Sequence, residues 1–205
     1  MSESKNLDWY VIQTRAGAED EVKEFCDERL DKRGINRIFV PKLELKKKYH
    51  GEWQMIKKPM YPGYLFVEVD EAAAKEERKD DFSKIEGNTT GQTITDLIFF
   101  DLKKVPRLTK LIGTGRIALP LEEEDVKRIR SFIGEGDVAE LSLGMIEGDK
   151  VQIFEGALKG QEALIKKIDR HKRTAKVETS FMGDIRIIEV GLEIIHKNNI
   201  LQNEE

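Results

Sequence analysis

Short runs of β-branched and aromatic residues, separated by polar turns, dominate the pattern of this 205-residue chain and predict mostly strands. In the first third, residues 9–14 and 64–69 have this character. Between them, residues 18–33 carry apolar side chains at helical spacing, with acidic residues in the first turn. A short strand is predicted over 38–41. A lysine-rich ribbon over 42–53 is predicted to be a hairpin that turns at His50 and Gly51.

The middle of the chain has a different composition. Residues 70–96 hold eight acidic and four basic side chains together with Gly87, Asn88 and Gly91, which predicts a helix over about 71–84 followed by a mobile loop. A short helix capped at Thr95 and Asp96 is expected next. A strand-like stretch over 102–112 follows. The four consecutive acids after Leu121 then mark the start of another helix.

The C-terminal third again predicts strands, at the spacing that is typical of a small barrel. The predicted strands are 149–154, 162–168, 174–181, 185–190 and 192–195. Glycine and aspartate over 134–144 indicate a linker before them. We therefore predict an α+β protein with a domain over 6–133 that contains a variable insert at 70–96, then the linker, then a five-stranded β-barrel over 145–200.

Composition narrows the class of protein. Charged residues make up 36% of the chain but the net charge is only −4, so any nucleic-acid site must come from local clustering of cations. The N-terminus lacks the apolar core of a secretion signal, and no apolar run is long enough to span a bilayer. A single cysteine excludes an internal disulfide and fits a reducing compartment. These features favour a cytoplasmic protein, and we expect a monomer.

Three motifs occur together in a specific order. The strand from Asp8 to Ile12 is followed by a turn and a helix that begins with acidic residues. Residues 62–67 then read Pro-Gly-Tyr-Leu-Phe-Val, which is similar to an F-P-G-Y-x-x-V pattern with Tyr61 in place of the phenylalanine. Residues 147–165 read as strand, glycine-rich turn and strand, which resembles a KOW element of SH3-like barrels.

Taken together, these motifs resemble the NusG family of transcription elongation factors over nearly the whole chain. The resemblance implies an NGN domain with an antiparallel sheet and flanking helices, followed by a C-terminal KOW domain. Within the family, residues 158–162, 168–173 and 181–184 are most similar to LoaP-type processive antiterminators, which act on selected operons and contact an RNA hairpin. Housekeeping factors usually carry P-F-A-G/D-F in the KOW loop, where this chain has Ala157-Leu158-Lys159-Gly160.

The resemblance implies a site for the clamp of the largest RNA polymerase subunit. Members of the family use an apolar patch of aromatic side chains for this contact. The residues that match are Tyr10, Tyr64 and Phe66. Because Tyr64 and Phe66 alternate with Leu65 and Val67, we expect one of these pairs in the core and the other exposed. Phe39 is expected in the core, and Tyr10 is equally compatible with the core and with the patch.

Two clusters of basic residues are candidates for RNA binding. The first lies on the predicted hairpin, where Tyr49 and Trp53 are available for stacking on bases. The second lies in a stretch over 102–116 that contains no acidic residue. An ordinary solvated surface is the alternative for both clusters. The candidate RNA-binding residues are Lys46, Lys47, Lys48, Lys57, Lys58, Lys103, Lys104, Arg107 and Lys110.

The barrel has its own candidate contacts. Phe154 and Phe181 lie beside the loops through which the family docks other factors, including a small-subunit ribosomal protein. A basic cluster on a predicted turn is compatible with contact to RNA or the ribosome, and equally with an ordinary charged turn. Its candidate residues are Lys166, Arg170, His171 and Arg173.

Catalysis and metal binding have little support in the sequence. The three histidines are scattered, no Cys or His spacing suits zinc, and no Walker A motif occurs. We therefore expect no enzyme activity, no metal and no cofactor. The favoured function is antitermination through RNA polymerase and an RNA hairpin. The alternatives are a housekeeping factor that couples polymerase to a termination factor or ribosome, and a ribosomal RNA-binding KOW protein.

Overall fold

The computed structural model describes residues 7–77, 102, 104–105, 108–111, 113–114, 117–134, 136–148 and 150–195, with only the backbone described between 108 and 118. Its contacts divide the chain into two compact units. The first comprises Met1–Val40 and Tyr61–Glu122, and the second comprises Pro41–Met60 and Glu123–Glu205. The predicted domain boundaries, at 133/134 and 144/145, stay a prediction. The two units are divided at other positions in the chain.

The elements follow one another in an α+β order, as predicted. The first part of the chain forms β1 (Asp8–Thr14), α1 (Glu19–Arg29), β2 (Ile35–Phe39), β3 (Lys42–Tyr49), β4 (Glu52–Pro59), β5 (Tyr64–Val69) and α2 (Glu71–Glu77). The remainder forms β6 (Leu108–Leu111), β7 (Gly113–Thr114), β8 (Ile117–Ala118), α3 (Glu123–Ile133), β9 (Val138–Ala139), β10 (Ser142–Glu147), β11 (Lys150–Glu155), β12 (Ile165–Asp169), β13 (Thr174–Phe181) and β14 (Asp184–Ile194).

The first unit is built on a four-stranded antiparallel sheet in the order β2-β5-β1-β6. One face of this sheet and the helices enclose a core that includes Val22 and Cys26 of α1, Leu65 and Val67 of β5, and Ala74 of α2. The helix predicted over 18–33 is shorter, because α1 ends at Arg29 and its C-cap, Leu30, is extended. The helix predicted over 71–84 is present as α2 through Glu77; the rest of that prediction, and the short helix expected after Thr95, lie outside the described residues.

The second unit contains the predicted five-stranded sheet, which curls in the order β11-β10-β14-β13-β12. Three details of the strand prediction are wrong. Residues 142–147, placed partly in the linker, form β10, which pairs in parallel with β14. The two strands predicted over 185–190 and 192–195 are one continuous strand, β14. The start of the strand predicted over 162–168 is a 3-10 turn over Glu162–Leu164.

The hairpin of β3 and β4 belongs to this second unit by its contacts. It turns at His50 and Gly51, as predicted, and both residues have positive φ, which a tight two-residue turn requires. β3 also pairs in parallel with β9, and the N–H of Lys42 donates to the carbonyl of Asp137 at 2.7 Å. Helix α3 and the hairpin therefore pack in the same unit as the curled sheet.

Candidate functional site

The sheet of the first unit carries an aromatic cluster on the face opposite to Val67 and Leu65. Trp9 packs edge-on against Phe39 at 4.8 Å between ring centroids, and Phe66 lies 5.6 Å from Phe39. Tyr61 approaches Phe66 at 6.2 Å. All four rings are buried, and Trp9, Phe39 and Phe66 have 0% exposure. Phe39 therefore lies in a core, as predicted, whereas the exposure expected for Phe66 is not found.

Strand register separates the three aromatic residues that the resemblance assigns to polymerase binding. Val11 pairs with Phe66 and Tyr10 pairs with Val67, so Tyr10 points to the face opposite to Phe66. Tyr10 is buried in the helix-side core, and its hydroxyl donates to Glu71 Oε1 at 3.1 Å. Tyr64 shares the face of Phe66 and is half-buried. We expected either Tyr64 and Phe66 or Leu65 and Val67 to be exposed, and this expectation is wrong. Of these four side chains only Tyr64 is partly accessible to solvent. The assignment to polymerase binding stays a prediction.

A buried carboxylate organises the edge of the aromatic cluster. Glu68, 3% exposed, accepts hydrogen bonds from Trp9 Nε1 at 2.8 Å, from Arg37 Nε at 3.3 Å and from Asn36 Nδ2. The Arg37 guanidinium also lies 4.1 Å from the centre of the Phe39 ring. A buried charge is tolerated because it is paired and hydrogen-bonded. Sequence reasoning missed Trp9, Arg37 and Glu68, although the period of two in β1 and β5 placed Trp9, Phe66 and Glu68 on one face.

A second buried carboxylate holds the turn before Tyr64. Glu19 is 2% exposed, and its two oxygens accept the backbone N–H groups of Gly17 at 2.7 Å and Gly63 at 2.6 Å. Gly63 has a φ of +87°, and its carbonyl accepts the N–H of Thr14 at 2.8 Å. Glycine is required here because other residues rarely adopt this φ. The Pro-Gly-Tyr motif is thereby fixed against β1 and α1.

The hairpin displays most of the first basic cluster. Lys47, Lys48, Lys57 and Lys58 are exposed, whereas Lys46 is half-buried and forms an ion pair with Glu193. Tyr49, Trp53 and Met55 are also exposed, at 40%, 37% and 47%. The amino group of Lys47 lies 5.2 Å from the Tyr49 ring. Cations interleaved with exposed rings are the combination that single-stranded nucleic acids bind.

The structure gives little information on the second basic cluster. Lys103 and Arg107 lie outside the described residues, and of Lys110 only the backbone is described, in β6 opposite Gln13. Lys104 is exposed. The proposed RNA-binding role of these four residues therefore stays a prediction.

The basic turn between β12 and β13 contacts the hairpin. The guanidinium of Arg173 lies 4.0 Å from the centre of the Trp53 ring, and its Nη1 donates to Glu193 Oε1 at 2.7 Å. Arg170 and His171 are exposed at the turn itself. Lys166 is exposed on β12 and pairs with Glu178 at 3.2 Å. Two sets of residues that the sequence assigned separately, to RNA and to a KOW partner, are thus brought together at Arg173.

An aspartate organises this turn. Asp169 Oδ1 accepts the backbone N–H of Lys172 at 2.9 Å, and this hydrogen bond lowers the pKa of the Asp169 carboxyl from its ordinary value. Side chains of this type stabilise turns by such hydrogen bonds to the backbone two or three residues later. The turn ends at Arg173, which has a φ of +54°.

The two phenylalanines assigned to partner binding by the barrel differ in burial. Phe154 is half-buried on β11, while Phe181 is 1% exposed and fills the interior of the curled sheet. In the KOW loop, Leu158 is fully buried and its N–H donates to Ser142 Oγ at 2.9 Å. This loop therefore directs its large apolar side chain inward.

Within the described ranges, no group of three or more His, Cys, Asp or Glu residues could hold a metal ion. None of the described helices is long and apolar enough to cross a membrane. Cys26 is buried, and burial raises the pKa of its thiol to about 11. A thiol with so high a pKa is a poor nucleophile at neutral pH.

Comparison with known proteins agrees with the fold and the order of motifs. A family profile described as "Transcription termination factor nusG" matches residues 7–130, which is more than half of the chain. The "Transcription termination/antitermination protein NusG" of Streptococcus pyogenes serotype M3 is 28% identical over 202 residues, covering 94% of this chain and 97% of that protein. The protein of the same description from Helicobacter pylori strain J99 is 24% identical, covering 90% and 94%.

A solved structure is also similar. The structure titled "Domain interaction in Thermotoga maritima NusG" covers 92% of this chain with a TM-score of 0.52, and 94% of its own chain is covered. At 20% sequence identity this similarity supports the fold. It agrees with an N-terminal sheet flanked by helices followed by a five-stranded curled sheet.

Proposed function

The chain belongs to the NusG family of transcription factors, and on this premise we propose that it is an antitermination factor directed to selected transcripts by an RNA hairpin. Factors of the family are not enzymes and act with RNA polymerase. This protein would therefore work by binding, in the cytoplasm, where polymerase transcribes. It would suppress pausing and termination without a cofactor.

The lysine-rich hairpin of β3 and β4 is the observation that carries the RNA-binding part of the proposal. It presents four exposed lysines and three exposed large apolar side chains on a chain whose net charge is −4. The exposure of Trp53 and Tyr49 to solvent does not stabilise the fold of the hairpin. Unpaired bases in an RNA loop, in contrast, stack on such rings. The lysines supply the phosphate contacts.

The polymerase contact is proposed for the face of the first unit that carries Tyr64. Tyr64 follows Gly63 in the turn held by Glu19, and its half-buried ring lies at the start of the strand that carries Phe66. Phe66 lies within the aromatic cluster on the same face, while Tyr10 on the opposite face supports the sheet through Glu71. We assign the direct contact to Tyr64, and positioning roles to Phe66 and Tyr10.

The KOW loop favours a specialised factor over a housekeeping one. Housekeeping factors resemble one another in an aromatic P-F-A-G/D-F loop, whereas here Leu158 points inward and Lys159 is exposed. A loop without an exposed aromatic side chain lacks the apolar anchor that protein interfaces commonly use. The barrel is proposed to bind a further partner, RNA or a small-subunit ribosomal protein, through Phe154 and the basic turn.

Antitermination would follow from differential binding. A ligand shifts a conformational equilibrium only by its difference in affinity for the two states. The protein would therefore bind the elongating polymerase more tightly than the paused one. Simultaneous contact with the nascent hairpin raises the effective concentration of the protein at that polymerase, without a new contact to the enzyme.

Binding of the full chain to RNA tests the proposal. The probes are a hairpin RNA with an unpaired loop and a single strand of the same composition, across a series of salt concentrations. We expect selective binding of the hairpin, with affinity falling steeply as salt increases. In the double variant Lys47→Gln/Lys48→Gln, the log–log salt slope should become shallower by about one unit for each lysine that contacts a phosphate.

The control variant is Lys127→Gln/Lys159→Gln, which removes the same charge from helix α3 and the KOW loop. It should leave hairpin affinity within about twofold, as expected for cations that do not contact phosphate. Equal effects of the two double variants, or equal affinity for both RNA forms, would refute hairpin recognition. A housekeeping or ribosomal role would then be the better explanation, and co-sedimentation with ribosomal subunits would distinguish these two.

A further inference from the structure

The hairpin and the turn between β12 and β13 meet in one basic surface. Arg173 stacks on Trp53 at 4.0 Å, and Glu193 bridges Arg173 to Lys46, so side chains from β3, β4, β14 and the turn are linked. The turn contributes four consecutive basic residues from Arg170 to Arg173, and the hairpin contributes three from Lys46 to Lys48. One carboxylate, Glu193, lies between the two groups.

Two features of this surface are unfavourable for the folded protein alone. Arg173 is held at a φ of +54°, which is costly for a residue with a Cβ. On the adjoining strands, Lys167 is directly opposite Lys176, and both are exposed. Like charges that face each other across strands are destabilising, although Glu189 faces Lys176 from the other neighbouring strand. A polyanionic ligand would offset the repulsion between these cations.

The geometry of Arg173 fits such a ligand. Its guanidinium lies over the Trp53 ring, 4.0 Å from the ring centre, and one nitrogen is paired with Glu193, so the side chain loses little further freedom on binding. Planar guanidinium groups bind phosphate through a fork of donors. The aspartate-organised turn holds the exposed Arg170 and Lys172 beside it.

We propose that the hairpin of β3 and β4 and the turn over residues 170–173 form a single RNA-binding surface, so that one RNA molecule contacts both. This inference rests on the proposed RNA-binding function and extends it to the barrel. The phosphate backbone would cross from Lys47 and Lys48 to Arg170 and Lys172, over the stacked pair of Arg173 and Trp53. The partner of the basic turn is then the RNA bound by the hairpin, and not an acidic protein.

The test uses the full chain and a hairpin RNA of about 20 nucleotides with an unpaired loop, a length that can contact several cations at once. The variant Arg170→Gln/Lys172→Gln removes two exposed cations from the turn only. We expect hairpin affinity to fall about tenfold and the salt slope to become shallower by about two units. The control Lys127→Gln/Lys159→Gln should change affinity by less than about twofold. Thermal unfolding checks that each variant is folded.

Stoichiometry and conservative variants separate the possible outcomes. One RNA per chain, with losses in both the turn and hairpin variants, supports the single surface. Arg173→Lys, which keeps the charge but not the planar fork of donors, should then also weaken binding. Loss in the hairpin variant with none in the turn variant overturns this inference and leaves the proposed function intact. No loss in either variant overturns both. Displacement of the RNA by polyglutamate at equal concentration would show an acidic-protein site instead.

Discussion

At the scale of single residues, two buried glutamates determine how the first unit presents the turn at Gly63 and the aromatic cluster. Glu19 joins the turns at Gly17 and Gly63, and Glu68 joins Trp9, Asn36 and Arg37. Each carboxylate is almost fully buried, so its stability depends on the donors around it. Glu19 lies two positions from Gly17 and 44 from Gly63, whereas Glu68 lies 59 positions from Trp9 and 31 to 32 from Arg37 and Asn36.

Removal of the Glu68 carboxylate should destabilise the first unit strongly. Glu68→Ala leaves the buried Trp9 N–H and the Arg37 guanidinium without their acceptor, and we expect a loss of about 2–3 kcal/mol in the free energy of unfolding. Arg37 is about one-third exposed and recovers part of its hydration, which limits the loss. Urea unfolding measures this value. Glu68→Gln keeps the side-chain volume and one acceptor oxygen and should cost about 1 kcal/mol; equal losses in the two variants would show that the charge of the carboxylate, and not an acceptor at this position, determines the stability.

At the scale of elements, the packing of β3 on β14 depends on the absence of a side chain at Gly191. A Cβ at this position would lie 2.3 Å from the carbonyl oxygen of Glu44 and 2.7 Å from Leu141 Cδ1. The carbonyl oxygen of Glu44 belongs to the backbone and cannot move aside as the end of a flexible side chain can. The hairpin and the curled sheet therefore approach each other closely only because glycine occupies this position.

Gly191→Ala should separate the hairpin from the curled sheet. We expect a loss of about 1–3 kcal/mol in the free energy of unfolding from overpacking, measured by urea titration, and increased proteolysis within the hairpin. Gly136→Ala is the matched control, because a Cβ there would be 3.9 Å from its nearest neighbour and should be nearly neutral. A stability change in Gly191→Ala no larger than in the control would contradict the close packing described for this contact.

The sequence predicted the elements well where pattern alone determines them. The strands around Trp9 and Tyr64 and the turn at His50 and Gly51 follow from apolar periodicity and turn chemistry. β10 was missed because Gly144 interrupts its pattern, although a Cβ there would meet the carbonyl oxygen of Gln152 at 2.6 Å. A strand glycine weakens the local signal and is explained only by the approach of another strand.

The candidate site was less predictable from the sequence, because its burial and its contacts depend on residues that are far apart in the chain. Periodicity could not decide whether Tyr64 and Phe66 or Leu65 and Val67 were covered, because the sheet is buried on both faces at this strand. The contact between Lys46 and Glu193 joins residues 147 positions apart, which no local pattern reports. The sequence showed each basic cluster separately. That the cluster on the hairpin meets the basic turn at Arg173 became evident only from the tertiary structure.

At the scale of the whole molecule, the proposed function is that of a binding protein that links polymerase to a chosen RNA. Under this proposal the hairpin in the transcript, and not the terminator, selects where the protein acts. Neither contact needs to be tight alone, since binding to one partner concentrates the protein near the other. The full chain is therefore the correct material for a functional measurement.

Single-round transcription by purified RNA polymerase tests this claim most directly, with two templates that share a terminator and differ only in an upstream sequence encoding the RNA hairpin bound by the protein. We expect the protein to increase readthrough on the template with the hairpin, and we expect Lys47→Gln/Lys48→Gln and Tyr64→Ala each to reduce this effect while Lys127→Gln/Lys159→Gln does not. Equal readthrough on both templates, or increased termination, would contradict the claim.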